Sequence, residues 1–227
     1  MRQEIDGAQD VAAALDSYLG DLRAARPSLD LTRNHSPKGA KTVSLIIAAA
    51  RRVFIRDGHA GLSLRKVADE AGLAVGNVNY YFDSKRALLE ATLREAFADY
   101  ADIHGRQYEA RRSEPVELIL DMLQFYISSG RQSHPFFFQL WSYAASDQKA
   151  RELVHGLYRP IGRFVYYLVR VARPDANDTR VREIVLQIIS LEEGVKLLIG
   201  LGPEEDPALR SAEVHMRKLA RELILAR

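Results

Sequence analysis

The stretch Leu62–Lys85, LSLRKVADEAGLAVGNVNYYFDSK, leaves this chain little freedom in how it folds. Ser63 stands where a side-chain oxygen can accept a free backbone N–H of an opening helical turn. Leu64, Val67, Ala68 and Ala71 follow at helical spacing and form one apolar stripe. Gly72 comes next, where a left-handed residue without a Cβ ends a helix. Leu73 and Ala74 lead into a second short helix whose inward contacts are Val78 and Phe82. Two short helices joined by a tight turn, followed at once by the start of a third, is the pattern of a helix-turn-helix. The second helix of such a unit is the one that enters the major groove.

The flanking segments extend this pattern into an all-α chain. Val43, Ile46, Ile47, Ala50, Val53 and Phe54 fall on one face of a helix predicted from about Thr42 to Asp57 and closed by Gly58. Asp83 is read as the cap of a helix with Leu89, Leu93, Ala96, Phe97 and Tyr100 inward, long enough to carry the chain out of the N-terminal unit. Pro115 opens another, with Val116, Ile119, Leu120, Leu123 and Ile127 inward, and Ser128-Ser129-Gly130 is read as its end. An aromatic helix from about His134 to Ala145 follows, then one from about Asp147 to Ala172 with Pro160 as a kink. Val181, Ile184, Val185, Ile188, Leu191, Val195, Leu198 and Ile199 mark helix 178–200. Leu209, Ala212, Met216, Leu219 and Leu223 mark helix 206–226 at heptad-like spacing. No strand-like alternation and no internal repeat interrupts the series.

Composition narrows the classes. The 227 residues are 47% hydrophobic and 27% charged, enough for a real core in one or two domains. Without Cys, disulfides and thiolate chemistry are excluded, and a reducing compartment is the expectation. The net charge of +2 is small, so any nucleic-acid footprint must be local. No signal peptide and no apolar run of about 20 residues is present, which makes a cytoplasmic chain without membrane contact the expectation.

Residues 1–36 form an N-terminal extension. Asp10 can cap a helix with Val11, Ala14, Leu15, Tyr18, Leu19 and Leu22 on one face, ending before Pro27. It reads either as an extra helix that docks on a neighbouring domain or partner, or as a partly ordered leader. Arg33–Thr42, RNHSPKGAKT, is read as a polar linker whose Arg33, Lys38 and Lys41 form a basic arm or a solvated connector.

From Lys41 to about Tyr100, and above all in GLSLRKVADEAGLAVGNVNYYFDSKRALLEATL, the chain resembles the DNA-binding domain of the tetracycline-repressor (TetR) family. The matching elements are the Ser-Leu-Arg-Lys-Val-Ala opening, the Ala-Gly-Leu-Ala turn, the Gly-Asn-Val-Asn-Tyr-Tyr-Phe recognition helix and the Ser-Lys-Arg-Ala-Leu-Leu start of the next helix. They occur in order over about sixty residues; beyond them the likeness is one of helix count and length. The resemblance implies a helix-turn-helix domain over 37–85, connected by helix 83–100 to an effector-binding and dimerisation domain over 86–227. It also implies a homodimeric, ligand-responsive regulator, most often a repressor. The leader before Lys41 departs from the family's common arrangement.

Helical geometry names the candidate DNA surface. With Val78 and Phe82 inward, 100° steps place Gly76 and Tyr80 on the opposite face, flanked by Asn77 and Asn79. Asn can bond adenine in a bidentate manner, and Gly76 permits close backbone approach. The family comparison adds Tyr81 and Lys85 as clamps on the DNA backbone. Ser63 and Thr42 are candidates for phosphate contacts through their hydroxyls or helix N-termini.

Helices 178–200 and 206–226 are candidates for a four-helix homodimer interface, which would pair two recognition helices on a palindromic operator of double-stranded DNA. Phe125, Tyr126, Phe137, Trp141, Phe164 and Tyr167 can line an apolar cavity for an unknown small-molecule effector, or simply form core. Glu192 and Glu193 can face a cationic or hydroxylated ligand, solvent, or a second chain. No catalytic residue, metal ligand or cofactor is assigned. Glu152 and His155 have the Glu-x-x-His spacing of di-iron bundles, but no second copy accompanies them. An all-helical ligand-binding or protein-interaction module without sequence-specific DNA binding is the alternative function.

Overall fold

The computed structural model describes residues 37–111, 113–203 and 205–226, together with 13, 16–18, 20 and 21, and side chains throughout except at Ala101. Most of the N-terminal extension, including Arg33 of the basic arm, lies outside the described residues. Within them there is no strand. The helices are α1 (Pro37–Gly61), α2 (Leu64–Ala71), α3 (Val75–Tyr81), α4 (Lys85–Arg111), α5 (Pro115–Ser146), α6 (Gln148–Ala172), α7 (Asp178–Leu201), α8 (Pro207–Arg210) and α9 (Ala212–Leu225). The described residues divide into two compact units. One holds 20–101 and 136–157; the other holds residues of 1–19 with 102–135 and 158–227.

In the first unit, α1 begins five residues before the expected Thr42, because Pro37 pre-sets the backbone angle of a first turn and has no N–H to leave unsatisfied. The Lys38–Thr42 part of the expected linker is therefore helical. Val43, Ile46, Ile47, Ala50, Val53 and Phe54 are all buried as their spacing requires. Phe54 meets Phe136 edge to face, 5.8 Å between centroids. The regular helix ends at Gly58, which adopts φ 68° and ψ 179°. Ser63 caps α2 by accepting from Lys66 N at 3.2 Å, and Gly72 ends it at φ 66°. The cap of α4 is Ser84, whose hydroxyl accepts from Ala87 N at 3.2 Å, and not the adjacent Asp83. α4 then runs to Arg111, eleven residues beyond the expected Tyr100.

Ser128-Ser129-Gly130 does not end a helix. α5 continues through it and past Pro135 to Ser146. Ser129 and Ser133 donate their hydroxyls back to Tyr126 O (3.2 Å) and Ser129 O (2.9 Å), so these polar side chains are satisfied inside the helix. Gly130 serves close packing in the second unit, where an added Cβ would stand 3.2 Å from Cγ of Lys196 on α7. Asp147 caps α6 through Ala150 N at 2.7 Å, and Pro160 is carried within α6.

The expected final helix is interrupted at Ser211, whose hydroxyl donates to Pro207 O at 2.8 Å and separates α8 from α9. Arg217 of α9 reaches α5 at Glu117 (2.8 Å) and Asp121 (2.7 Å), and Arg131 of α5 meets Glu213 at 2.8 Å. Arg173 donates to Ile224 O at 2.8 Å, placing a cation at the negative end of the α9 dipole.

Gly58 combines a backbone conformation that is nearly exclusive to glycine with a crowded site. A Cβ there would lie 2.7 Å from Oε1 of Gln139. Gly58→Ala should therefore lower stability by about 1–3 kcal/mol, read as a lower denaturation midpoint with unchanged helical content.

Candidate nucleic-acid interface

The candidate surface is one face of α3. Val78 has no exposed surface and Phe82 keeps 5%, so the middle of the helix and the residue that caps its C-terminus are held inward. Gly76, Asn77, Asn79 and Tyr80 are exposed in consequence. Tyr81 is half-buried, its ring edge-on to Tyr80 at 5.0 Å. Lys85, the first residue of α4, donates to Ala60 O at 3.2 Å and is held beside α3 at a helix N-terminus. Ser63 is occupied as a cap acceptor, while its hydroxyl proton stays available. Thr42 lies inside α1, and its hydroxyl donates to Lys38 O at 2.9 Å. It does not mark a helix N-terminus, because α1 starts upstream. These eight positions all belong to the unit that holds 20–101.

An ion-pair lattice braces α2 against α1. Arg52 and Arg56 of α1 meet Glu70 of α2 at 2.7 and 2.9 Å, and Lys66 of α2 meets Asp57 of α1 at 2.9 Å. The hydrogen bond from Arg52, then that from Arg56, holds the Glu70 carboxyl below the usual carboxylate range. The bond from Arg56, then that from Lys66, does the same for Asp57. The cations are exposed and the carboxylates half-exposed, so the lattice sets orientation more than it adds stability.

Sequence matches point the same way as this geometry. Residues 46–92 match the family model described as bacterial regulatory proteins, tetR family. Over those residues the chain is similar to the DNA-binding part of the TetR family. Among curated relatives of this chain is the HTH-type transcriptional regulator BetI of Paraburkholderia xenovorans, 28% identical over 113 residues. That match takes in 48% of this chain and 58% of the relative, so it spans little more than half the relative's length. BetI of Vibrio atlanticus is 26% identical over 165 residues, 70% of this chain and 80% of that one. Two solved structures share the fold. One is a transcriptional regulator from Saccharomonospora viridis in complex with choline (TM-score 0.65, 18% identity, 82% of this chain and 97% of that one). The other is FadR from Bacillus subtilis in complex with stearoyl-CoA (TM-score 0.66, 16% identity, 81% and 97%).

The six aromatic residues expected at an effector site are shared between the two units. Phe137 and Trp141 lie in the unit that holds 136–157, with ring centroids 6.2 Å apart. Phe125, Tyr126, Phe164 and Tyr167 lie in the other. Phe125 and Tyr126 contact each other and the ring of His104, at 6.3 and 5.3 Å from it. Phe164 stacks on Tyr18 at 4.9 Å. Tyr167 meets Tyr166 at 5.6 Å. His104 is a central member that spacing did not reveal, since a lone histidine in a helix carries no periodic signal. Tyr18 was visible as part of an apolar stripe, but nothing local tied it to residues far along the chain. Among the described residues no group of three or more His, Asp and Glu is placed to hold a metal ion.

Glu192 and Glu193 turn to their own helix. Lys196 donates to Glu192 at 2.9 Å and to Glu193 at 3.0 Å, with no exposed surface itself, and its ammonium lies 5.8 Å from the Tyr126 ring centroid. Burial, followed by the neighbouring charge of Glu193, pushes the Glu192 carboxyl up to about 7 against the attraction of Lys196. A carboxyl raised on folding contributes stability that is complete below its ordinary value of 4.5 and is lost as pH rises through about 7. Raising the pH from 5 to 8 should accordingly lower the melting temperature of the native chain more than that of Glu192→Gln. A constant gap between the two melting curves across that range would show that this carboxyl does not titrate there.

Proposed function

We propose that this chain is a transcriptional repressor that binds a palindromic operator as a homodimer in the cytoplasm and is released by a small molecule. The carrying observation is the rotation of α3: burial of Val78 and Phe82 leaves Gly76, Asn77, Asn79 and Tyr80 outward on a helix sized for the major groove. The relatives named above as transcriptional regulators support the DNA-binding reading. The structural neighbours in complex with choline and with stearoyl-CoA support a small-molecule effector. In this reading residues 37–85 are the DNA-binding head and 86–227 the sensing and pairing part. Tyr81, Lys85, Ser63 and Thr42 contribute backbone contacts, and no catalytic step is involved.

Pairing is assigned to α7 and α9. Both helices carry large apolar side chains on the surface of the single chain: Leu186, Leu197, Leu198 and Leu201 on α7, and Val214, Leu219 and Leu225 on α9. A two-fold contact would bury these side chains and set the spacing of two α3 helices. Effector binding would shift α4 and with it the head. DNA and effector would then oppose each other by the same coupling energy, typically about 1–3 kcal/mol.

The deciding experiment is selection of an operator from randomised duplexes, followed by footprinting at several salt concentrations. The expected outcome is a palindromic footprint whose affinity falls with salt. Asn79→Ala should relax preference at one base pair by about 1–3 kcal/mol. Lys85→Ala should weaken all sequences alike and reduce the salt slope by about 1. If neither variant changes binding, the assigned surface is wrong. If the native chain binds no duplex at low salt, the interaction-module alternative replaces the regulator.

A further inference from the structure

Within the unit that holds 20–101, α1 and α4 border a cavity of about 580 Å³. That volume suits a small molecule. The floor is apolar: Val43 and Ile47 of α1 and Ala96 of α4 are all buried. Thr92 is buried beside them, and its hydroxyl donates to Leu88 O at 2.8 Å, so it offers the cavity no donor. The α1 wall reaches from Ala40 to Arg52, about 18 Å of helix. Its charged lining side chains, Arg51 and Arg52, stand together at one end of that wall. An apolar trough with cations at one end is the geometry that holds a long apolar body carrying a single anionic group.

The arginines differ in what they already hold. Arg51 is half-buried, its guanidinium 5.3 Å from the ring centroid of the buried Phe136. No carboxylate pairs with it among the described residues. Stacking occupies the face of a guanidinium and leaves its N–H edges for a carboxylate in the same plane. Arg52 donates Nε to Glu70 at 2.7 Å, and its terminal nitrogens can take a second carboxylate. On the α4 wall, Glu95 and Asp99 are engaged in interactions of their own. Their charge keeps a ligand's carboxylate on the α1 side.

We propose that this cavity binds an amphiphilic carboxylate, its apolar body on Val43, Ile47 and Ala96 and its head group bridging Arg51 and Arg52. Guanidinium groups hold a carboxylate there through charge-assisted hydrogen bonds. The site shares no residue with the six aromatic residues expected to line an effector cavity. It lies in the unit that carries α2 and α3, so the ligand meets the DNA-binding head itself. Glu70 and the ligand share Arg52, and occupancy therefore acts on the ion pair that sets α2 against α1. Binding at this place requires no DNA.

The test is calorimetric titration of the full chain with decanoate, decanol and decyltrimethylammonium, probes that share a tail and differ in head-group charge. Decanoate should bind most tightly. Arg51→Gln should weaken decanoate by about tenfold or more, the loss of a charge-assisted hydrogen bond, and leave decanol unchanged. Arg51→Lys should recover part of that loss. Glu70→Gln removes the carboxylate that competes for Arg52 and should bind decanoate more tightly than the native chain. No decanoate binding, preference for either other probe, or equal decanoate affinity in Arg51→Gln overturns the proposal. A decanoate affinity in Glu70→Gln no higher than in the native chain overturns the sharing of Arg52. The native chain locates the site without any variant: saturating decanoate should slow hydrogen exchange in peptides covering 40–52 and 92–99, and protection confined to other peptides overturns the assignment. Duplex binding by the native chain is scored separately. Its absence alongside decanoate binding that Arg51→Gln weakens would remove the regulator reading and leave this site standing.

Discussion

Burial of Val78 is the constraint on which the outward face of α3, the proposed DNA surface, depends. α3 has seven residues, far too few to persist as an isolated helix. It exists because Val78 and Phe82 are buried as it packs on α2, and that docking also sets its rotation about its own axis. A quarter-turn would bury Tyr80 or expose Val78. The Arg52–Glu70, Arg56–Glu70 and Lys66–Asp57 pairs act on the same problem from outside, by fixing α2 against α1. The apolar contact supplies the energy, and the ion pairs narrow the angle.

Legibility in the sequence tracked the range of the interactions. Ser63 and Gly72 announce the ends of α2 because capping is settled within four residues. The outward face of α3 was readable because its inward face holds two apolar residues one turn apart. Element ends were misread where a competing interaction came from elsewhere. Ser128-Ser129-Gly130 has the composition of a helix stop, yet hydroxyls bonded to the preceding turn and the close approach of Lys196 keep α5 continuous. Asp83 and Ser84 are equally good caps by type, and only the hydrogen bond from Ala87 N separates them. The interruption at Ser211 depends on a hydroxyl turning back to Pro207 O, which no periodicity records.

The aromatic residues show the other limit. Phe125, Tyr126 and Phe164 were recognisable as candidates by type, but the first two meet at His104, and Phe164 stacks on Tyr18, from 86 positions upstream of that histidine. Tyr167, Phe137 and Trp141 have the same character in sequence and lie in other aromatic contacts. Residue type said which side chains prefer to leave water; chain topology decided which of them meet.

The contact of Gly130 with Lys196 carries a mutational consequence. The lysine stem fills the space that a side chain at 130 would need, and its ammonium holds Glu192 and Glu193. Losing the lysine leaves two half-buried glutamates without the cation they share. Losing a carboxylate alters the charge that keeps the lysine inside, and enlarging the glycine presses on its stem. The four positions are thus energetically coupled, so a change at one of them calls for compensation at another.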